Sequence, residues 1–274
     1  MTLNELASTF VNFTNEHYGK ADLQGFFQLI FRMSLKGMGM DVTGPVAASG
    51  EIMAMANVKA ALERKYPNQP LTVFDVGANV GTFMASAIST FGTENRRFFG
   101  FEPSPNAFAQ LQQTTANYPS GVVRTFNFGL GDKEETVPLF ADTAGSGWGS
   151  VYKRRLDHVG VQINQVEEAT LTTIDKFCAA NSIDRIHFLK LDIEGHEFKC
   201  LSGARQMIDA GRIDYIQFEF GGTNIDSRTF FQDFWYALKN YRIKRILRDG
   251  FFTIEKYSEA EELFLAQNYM AELK

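Results

Sequence analysis

The chain has 274 residues, a length that suits one large domain or one domain with an extension. Hydrophobic residues make up 45% of it and charged residues 22%, the profile of an ordinary globular protein. The formal net charge is −5 and no strong block of basic residues occurs, so a nucleic-acid partner is disfavoured. The start of the chain lacks the features of a signal peptide, and no apolar stretch approaches the ~20 residues of a membrane span. We therefore expect a cytoplasmic protein without a membrane span, whose two cysteines are buried thiols.

Residues 1–50 are predicted to form a helical extension. Apolar residues recur at helical spacing over residues 2–18 and 21–36, whereas residues 37–50 contain four glycines and are predicted to be irregular. An interfacial membrane helix would need a polar face rich in Lys and Arg, which is missing here. The helices are therefore expected to cap the main domain, and a homo-oligomer, if one forms, is expected to associate through them.

Residues 51–274 are predicted to form one α/β domain with a mostly parallel sheet and helices on both faces. Short apolar runs that indicate strands occur at 71–76, 97–102, 122–128, 186–193, 213–220 and 242–247. Helix-like segments occur at 51–66, 80–91, 104–116, 171–181, 196–210 and 228–240. Alternation of this kind implies right-handed βαβ units, with an antiparallel strand expected within residues 251–271.

The first of these strands ends in VFDVGANVGTF, a glycine turn that carries Asp75. Glycines let the backbone approach a ligand, and the following helix offers free N–H groups. A dinucleotide would bring a doubly charged pyrophosphate that Asp75 repels, and G-x-N-x-G departs from the G-x-G-x-x-G of dinucleotide sites. S-adenosylmethionine brings an ammonium and a sulfonium, so the turn favours this cofactor over NAD(P). A purely structural turn is the alternative interpretation.

The next two strand ends carry residues suited to an adenosine. Glu102 ends the second strand in FGFEPSP, where an acid can accept both ribose hydroxyls, and Ser104 is a candidate N-cap. Gly129 in FNFGLGD permits a tight turn against an adenine, with Asp132 as a candidate acceptor for its amino group. A plain loop between strands explains this third segment equally well.

The fourth strand, in IHFLKLDIEGHEF, carries charges that a central strand rarely tolerates. With a period of two, Lys190, Asp192 and Glu194 share one face, which is costly unless the charges are paired or functional. A Lys190–Asp192 ion pair is the structural alternative. His196 follows at the start of a helix, and Glu219 lies at the equivalent height of the fifth strand. We interpret this cluster as the edge of an active site.

Residues 141–170 contain ADTAGSGWGSVYKRR and are predicted to form a long loop over the acceptor side. Trp148 and Tyr152 are candidates to stack on a sugar ring. The charged run at 153–155 is expected to be a solvated face rather than an anion site.

Together, VFDVGANVGTF, FEPSPNAF, LTTIDKFCAANSIDRIHFLKLDIEGHE and FEFGG strongly resemble the FkbM family of S-adenosylmethionine-dependent methyltransferases. The resemblance covers about residues 50–270 and implies the class I methyltransferase (Rossmann-like) fold, with a seven-stranded sheet whose last strand is antiparallel. It also implies O-methylation, commonly of sugar hydroxyls in glycans or of hydroxyls in secondary metabolites. The family motif often has a small residue where this chain has His196.

The residue analysis and the resemblance together give the predicted site. The predicted cofactor contacts are Asp75, Gly77, Ala78, Asn79, Gly81, Thr82, Glu102, Pro103, Ser104, Gly129 and Asp192. The candidate bases or orienting groups are Asp192, Glu194, His196 and Glu219, and no residue spacing demands a metal ion. An NAD(P)-dependent oxidoreductase and a catalytically inactive S-adenosylmethionine-binding module are the alternative functions.

Overall fold

The computed structural model describes residues 2–40 and 49–274, and the chain divides into two units, Met1–Asp41 and Val42–Lys274. The first unit contains helices α1 (Leu3–His17) and α2 (Gln24–Gly37), as the apolar spacing predicted. Residues 41–48, part of the segment predicted to be irregular, lie outside the described residues. Among the described helices, none has the length and apolar character that crossing a bilayer requires.

The second unit is built on an eight-stranded sheet in the order β10-β9-β11-β8-β7-β1-β2-β3. Its strands are β1 (Leu71–Val76), β2 (Arg96–Phe101), β3 (Val123–Phe126), β7 (Ile186–Leu191), β8 (Ile213–Phe220), β9 (Tyr241–Ile246), β10 (Phe251–Thr253) and β11 (Gln267–Leu273). The β1 strand pairs in parallel with β2 on one side and with β7 on the other. The chain reverses its direction of winding at this point, which is where α/β sheets bind ligands.

The last strand, β11, runs antiparallel between β8 and β9, as predicted for the class I methyltransferase fold. The strand count differs from the predicted seven, because β10 adds an antiparallel edge strand beside β9. The chain turns sharply between β9 and β10, and residues 247 and 250 pair through their backbones. The fold is therefore the predicted one with a short hairpin at its edge.

Helices cover both faces of the sheet. They are α3 (Glu51–Lys65), α4 (Thr82–Phe91), α5 (Pro105–Thr115), α6 (Ile174–Ala180), α7 (Glu197–Ser202), α8 (Arg205–Asp209), α9 (Thr223–Ser227) and α10 (Phe231–Ala237). The helix predicted at 196–210 is broken near Gly203, where an added Cβ would lie 1.9 Å from the backbone oxygen of Gly131. This close packing explains the glycine, and the glycine ends α7. The segment predicted as a helix at 228–240 is shorter and follows α9.

The prediction of a loop over residues 141–170 was wrong at its C-terminal end. A second sheet forms in the order β4-β6-β5, from β4 (Gly129–Leu130), β5 (Glu135–Ala141) and β6 (Gln165–Thr172). In β6, Ala169 and Leu171 are buried while Glu168 and Thr170 are exposed, the alternation of a half-covered strand. The long loop is thus residues 142–164, anchored at both ends on this small sheet.

Two apolar clusters fix the main sheet from its two faces. One lies under α3 and α4 and contains Val73 and Phe188, and the other lies under α6 to α8 and α10 and contains Phe74 and Leu189. Because successive strand residues point to opposite faces, Asp75 and Lys190 lie on the α3–α4 side. The carboxyl ends of β1, β2, β7 and β8 are thereby brought to one edge of the sheet.

Candidate functional site

The turn after β1 is shaped by residues with left-handed backbone. Gly77 has φ +79°, and a Cβ on it would lie 1.9 Å from the backbone oxygen of Asp192. The backbone N–H groups of Gly77 and Ala78 both donate to the Phe101 carbonyl at 3.0 Å, which ties the turn to β2. Asn79, at φ +47°, accepts a hydrogen bond from the Val80 N–H through its own side chain. The turn therefore has a fixed shape before any ligand arrives.

Glu102 is held in place by the neighbouring backbone. One carboxylate oxygen accepts the Asn79 N–H at 2.9 Å and the other accepts the Ser104 N–H at 2.8 Å. Burial raises the pKa of Glu102 to about 7, although these two hydrogen bonds favour its ionised form. Ser104 also caps α5 by accepting the Ala107 N–H at 3.5 Å, as predicted. The carboxylate that was predicted to take the ribose hydroxyls is thus oriented by the same turn that would hold the methionine moiety.

A cavity of about 190 Å³ lies at these strand ends. Nine predicted site residues line it, namely Gly77, Asn79, Glu102, Pro103, Ser104, Gly129, Asp192, Glu194 and His196. The turns after β1, β2 and β7 supply most of them. The structure therefore brings together residues that are far apart in the sequence, with Gly77 and His196 separated by 119 positions.

The other side of the cavity was not predicted residue by residue. Its walls come from the small sheet and the loop, and they are Leu130, Leu139, Ala141, Gly145, Ser146, Gly147, Gly149, Val151, Glu167 and Leu171, with Ile193 from the turn after β7. The sequence signal for this wall is the GSGWGS segment, in which the predicted contact was Trp148, whereas the residues that line the cavity are its neighbours in the segment. Sheet residues such as Leu139 gave no signal that separates them from ordinary core residues.

The turn after β7 connects the loop to the strand ends. β7 ends at Leu191, so Asp192 and Glu194 lie in this turn and not in the strand, and Glu194 has φ +54°. Arg154 donates to the Glu194 carboxylate at 2.5 Å, and the Ser150 hydroxyl donates to the Glu194 carbonyl at 2.8 Å. The expectation of a solvated face is therefore wrong for Arg154, which is buried against the turn. Burial and the nearby charge of Asp192 raise the pKa of Glu194 to about 8. The positive charge of Arg154 acts in the opposite direction and offsets only part of this increase.

His196 lies against the same loop. Its Nδ1 is 3.1 Å from the Tyr152 hydroxyl, and its buried Nε2 has no hydrogen-bond partner among the described residues. Burial lowers the pKa of His196 to about 4, so the ring is neutral at physiological pH. A neutral imidazole with one free nitrogen at a cavity wall can bind a proton or donate one, depending on its tautomer.

Three carboxylates converge at the ends of β7 and β8. Oxygens of Asp192, Glu194 and Glu219 lie within 4.8 Å of one another. Burial, followed by the charges of Asp192 and Glu194, raises the pKa of Glu219 well above its usual value. Carboxylates so arranged can accept several hydroxyl donors, and their spacing is also one that a divalent cation accepts.

The remaining predicted residues lie outside the cavity wall. Asp75 is fully buried, and neither of its oxygens has a hydrogen-bond partner among the described residues. Gly81, at φ +91°, ends the turn against Leu111 and Thr114 of α5, while Thr82 is exposed at the start of α4. The assignment of Asp75, Ala78, Gly81 and Thr82 as cofactor contacts remains a prediction, as does that of Glu219 as a candidate base or orienting group. Asp132, expected near an adenine, is paired with Lys199 at 2.9 Å.

Comparisons with known proteins point to one group. Residues 75–244 match the family described as "Methyltransferase FkbM domain". The hexuronic acid methyltransferase AglP of Haloferax volcanii is 24% identical over 189 residues, which cover 66% of this chain and 69% of that protein.

Solved structures with a similar fold include two further methyltransferases. A methyltransferase FkbM from Methylobacillus flagellatus is 18% identical with a TM-score of 0.44, and the match covers 74% of this chain and 44% of that one. The magnesium protoporphyrin IX methyltransferase of Synechocystis, solved with bound S-adenosylmethionine, is 11% identical with a TM-score of 0.38, and the match covers 82% and 80% of the two chains.

Proposed function

Because the chain belongs to the FkbM family of methyltransferases, we propose that it transfers a methyl group from S-adenosylmethionine to a hydroxyl of a sugar, a glycan or a secondary metabolite. The observation that carries this proposal is the Glu102 carboxylate, held at the cavity by two backbone N–H groups from the turns after β1 and β2. A carboxylate fixed there can accept hydrogen bonds from both hydroxyls of a ribose. Its negative charge would repel a phosphate group bound at the same turn.

The cavity residues fit this cofactor chemically. Gly77 lets the Asp192 backbone pack where a Cβ would lie, and the cavity wall combines the Glu102 and Asp192 carboxylates with the apolar Leu130 and Leu171. Acidic groups suit a cation, and apolar side chains suit a flat base. When bound, S-adenosylmethionine supplies an electrophilic methyl group on a sulfonium.

The chain's own residues would position the acceptor and take up its proton. Asp192, Glu194 and Glu219 can accept hydrogen bonds from sugar hydroxyls, which fixes the orientation of the reacting oxygen. Asp192 lines the cavity and its side chain is 41% exposed, so it is the carboxylate best placed to receive a proton. His196 is the second candidate, since it lines the same cavity and its Nε2 has no hydrogen-bond partner among the described residues.

A sugar acceptor is supported by the similarity to a hexuronic acid methyltransferase. Trp148 lies between the cavity-lining residues Gly147 and Gly149, and its exposed ring has its centre 5.4 Å from the Arg154 guanidinium. An exposed aromatic ring offers a flat apolar surface on which one face of a sugar ring can pack.

Two measurements test this proposal. Titration calorimetry should detect binding of S-adenosylhomocysteine and no binding of NADH, and the reverse result would favour the oxidoreductase alternative. Mass spectrometry of glycans and metabolites from host cells with and without the protein should then reveal a methyl group lost in its absence. Tight cofactor binding without methyl transfer to a broad panel of hydroxyl acceptors would instead support a catalytically inactive binding module.

The N-terminal helices are proposed to associate with a second copy of the chain. Large apolar side chains are exposed on α1 and α2, including Leu3, Leu6, Val11, Leu29, Phe31 and Met33. Exposed apolar side chains in this number on two short helices favour burial against a partner. Light scattering should report a dimer for the full chain and a monomer for a Leu29→Lys/Phe31→Lys variant, and a monomeric parent chain would contradict the proposal.

A further inference from the structure

Lys190 is a charged residue at the centre of the main sheet, and the proposed reaction gives it no role. It lies on β7 between Asp75 of β1 and Gln217 of β8, and its side chain is 5% exposed. An ammonium buried this deeply is costly unless partners surround it. Its partners therefore indicate what the residue does.

The Lys190 ammonium links a buried carboxylate to one that lines the cavity. Its Nζ is 2.9 Å from Oδ2 of Asp192 and 3.9 Å from Oδ1 of Asp75. The aliphatic and charged parts are covered by Phe83, whose ring centre is 4.5 Å from Nζ. Asp75 is fully buried, whereas the Asp192 side chain is 41% exposed. The three residues thus form a path from inside the sheet to the cavity wall.

The surroundings of Lys190 favour its charged form. Asp192 and Asp75 are its nearest carboxylates, and Glu51 at the start of α3 adds a third negative charge nearby. These charges raise the pKa of Lys190 in spite of its burial. Burial raises the pKa of Asp75 to about 6, while the ammonium acts in the opposite direction.

We propose that Lys190 is a positioning residue, which anchors on Asp75 and holds the Asp192 carboxylate in place at the cavity wall. This inference rests on the proposed function, since Asp192 is taken to face the cofactor and the acceptor. It also gives Asp75 a different role from the predicted direct contact with S-adenosylmethionine. Asp75 acts on the site through Lys190 and Asp192, which explains why a residue outside the cavity wall carries a charge.

Without the ammonium, Asp192 would be left beside Glu194 and Glu219, whose oxygens lie within 4.8 Å of its own. Carboxyl groups at this distance repel one another as they ionise, and the Asp192 side chain is free to turn toward solvent because it is partly exposed. Lys190 thus offsets the repulsion and fixes one orientation. The contribution of Lys190 to ligand binding should therefore depend on the presence of the Asp192 carboxylate.

A double-mutant cycle on Lys190 and Asp192 tests this dependence, with the Kd of S-adenosylhomocysteine from calorimetry as the readout. Lys190→Met should weaken binding at least about tenfold in the parent chain and less than about threefold in an Asp192→Asn background. Equal weakening in both backgrounds would overturn the proposal, because a merely structural lysine would act independently of Asp192. Unchanged binding by Lys190→Met would overturn it too.

Two companion variants address folding and the role of Asp75. Lys190→Met leaves Asp75 buried without a counter-ion, so Asp75→Asn/Lys190→Met removes both charges and should fold while binding as weakly as Lys190→Met. Asp75→Asn alone should weaken binding by more than about threefold, because Lys190 loses its anchor, and should add nothing in the Lys190→Met background. A further loss in the Lys190→Met background would instead indicate direct contact between Asp75 and the ligand, against the proposal, and a parent Kd for Asp75→Asn would overturn the anchoring role.

Lys176→Met serves as the matched control, since Lys176 on α6 forms an exposed ion pair with Glu134. It should bind like the parent chain. Parent protein that is folded yet binds neither S-adenosylmethionine nor S-adenosylhomocysteine would overturn the proposed function together with this inference. Parent binding with an additive cycle would overturn the inference alone.

Discussion

Two backbone N–H groups direct the Glu102 carboxylate toward the cavity, which makes this side chain the most constrained acid of the candidate site. A carboxylate has only acceptor oxygens, so it can receive both N–H groups and still accept a ligand hydroxyl. A glutamine side chain in its place would have an NH₂ group facing one of the two backbone N–H donors, so that one of these hydrogen bonds would be lost. The orientation of the residue therefore depends on its charge state as well as on its size.

Glu102→Gln is expected to weaken S-adenosylhomocysteine binding by about tenfold to a hundredfold, the range for losing a charged hydrogen bond. Calorimetry on the variant measures this loss. Glu168→Gln, an exposed acid on β6, is the matched control and should leave the Kd unchanged. An unchanged Kd in Glu102→Gln would remove the residue from the predicted cofactor site.

Gly77→Ala should lower the free energy of unfolding by about 2 to 5 kcal/mol, because an alanine is strained in a left-handed backbone conformation and its Cβ would overlap with neighbouring atoms. The added Cβ would lie 1.9 Å from the Asp192 carbonyl oxygen, so the turns after β1 and β7 would have to separate. Urea denaturation of the two proteins gives the difference. Gly121→Ala is the control, because no heavy atom lies within 4 Å of its added Cβ, and an equal effect in both variants would refute this explanation.

Single residues could be predicted wherever a strand end exposes an unusual chemical type. Glu102, Asp192 and Glu194 were found this way and lie at the cavity, because carboxyl ends of parallel strands meet at one edge. Asp75 shows the limit of the method, since its position at a strand end does not tell whether its side chain points to the ligand or into the sheet. The two-residue period of a β-strand determines which face of the sheet a side chain lies on. The packing of helices over that face determines whether the side chain is exposed.

Among the secondary-structure elements, the small sheet was the hardest to predict. Its central strand β6 contains the adjacent Glu167 and Glu168 and only Ala169 and Leu171 are buried, so its apolar signal is weak. The break between α7 and α8 depends on the approach of Gly203 to Gly131, a contact between segments distant in sequence. The local sequence pattern carries no information on contacts between distant segments. The main strands could be predicted without such information, because each is a long apolar run.

Arg154→Gln is expected to loosen residues 142–164, because the guanidinium ties the loop to Glu194. Hydrogen exchange measured by mass spectrometry should be about tenfold faster in loop peptides and unchanged in β7 peptides. The neighbouring Arg155 is exposed, so Arg155→Gln provides a control with the same change in charge. Equal exchange in the two variants would show that the ion pair does not hold the loop.

At the scale of the whole molecule, the ligand-free protein is expected to gain stability as the pH falls from about 8.5 to about 6.5. Burial raises the pKa of Asp75 to about 6, of Glu102 and Glu197 to about 7, and of Glu194 to about 8. A carboxyl with a raised pKa in the folded state contributes stability at low pH and loses it as the pH rises through that pKa. Each of these groups therefore destabilises the folded state when it ionises.

Urea denaturation at the two pH values should show at least about 2 kcal/mol more stability at the lower one. His187 and His196, whose pKa values burial lowers to about 4, stay neutral over this range and contribute little to the change. Stability that rises with pH over the same interval would contradict the prediction.

The mostly parallel α/β arrangement of the main sheet followed from the order of apolar runs, since right-handed crossovers leave few topologies open. An antiparallel strand was expected within residues 251–271, whereas the count of seven strands was implied by the family resemblance, and β10 adds the eighth at the hairpin. Long elements are specified by their own sequence, and short ones by what they pack against.

The anchoring of residues 142–164 has a consequence for protein engineering. Ala141 and Gln165 are paired across β5 and β6, and the Asn164 N–H donates to the Ala141 carbonyl at 3.1 Å, so the segment leaves and re-enters the fold at adjacent points. A segment with such closely spaced ends can be exchanged as a cassette, because replacing it does not separate β5 and β6, the two strands on which it is anchored. Libraries confined to these 23 positions would therefore change one wall of the cavity while the residues of the turns after β1 and β2 stay constant.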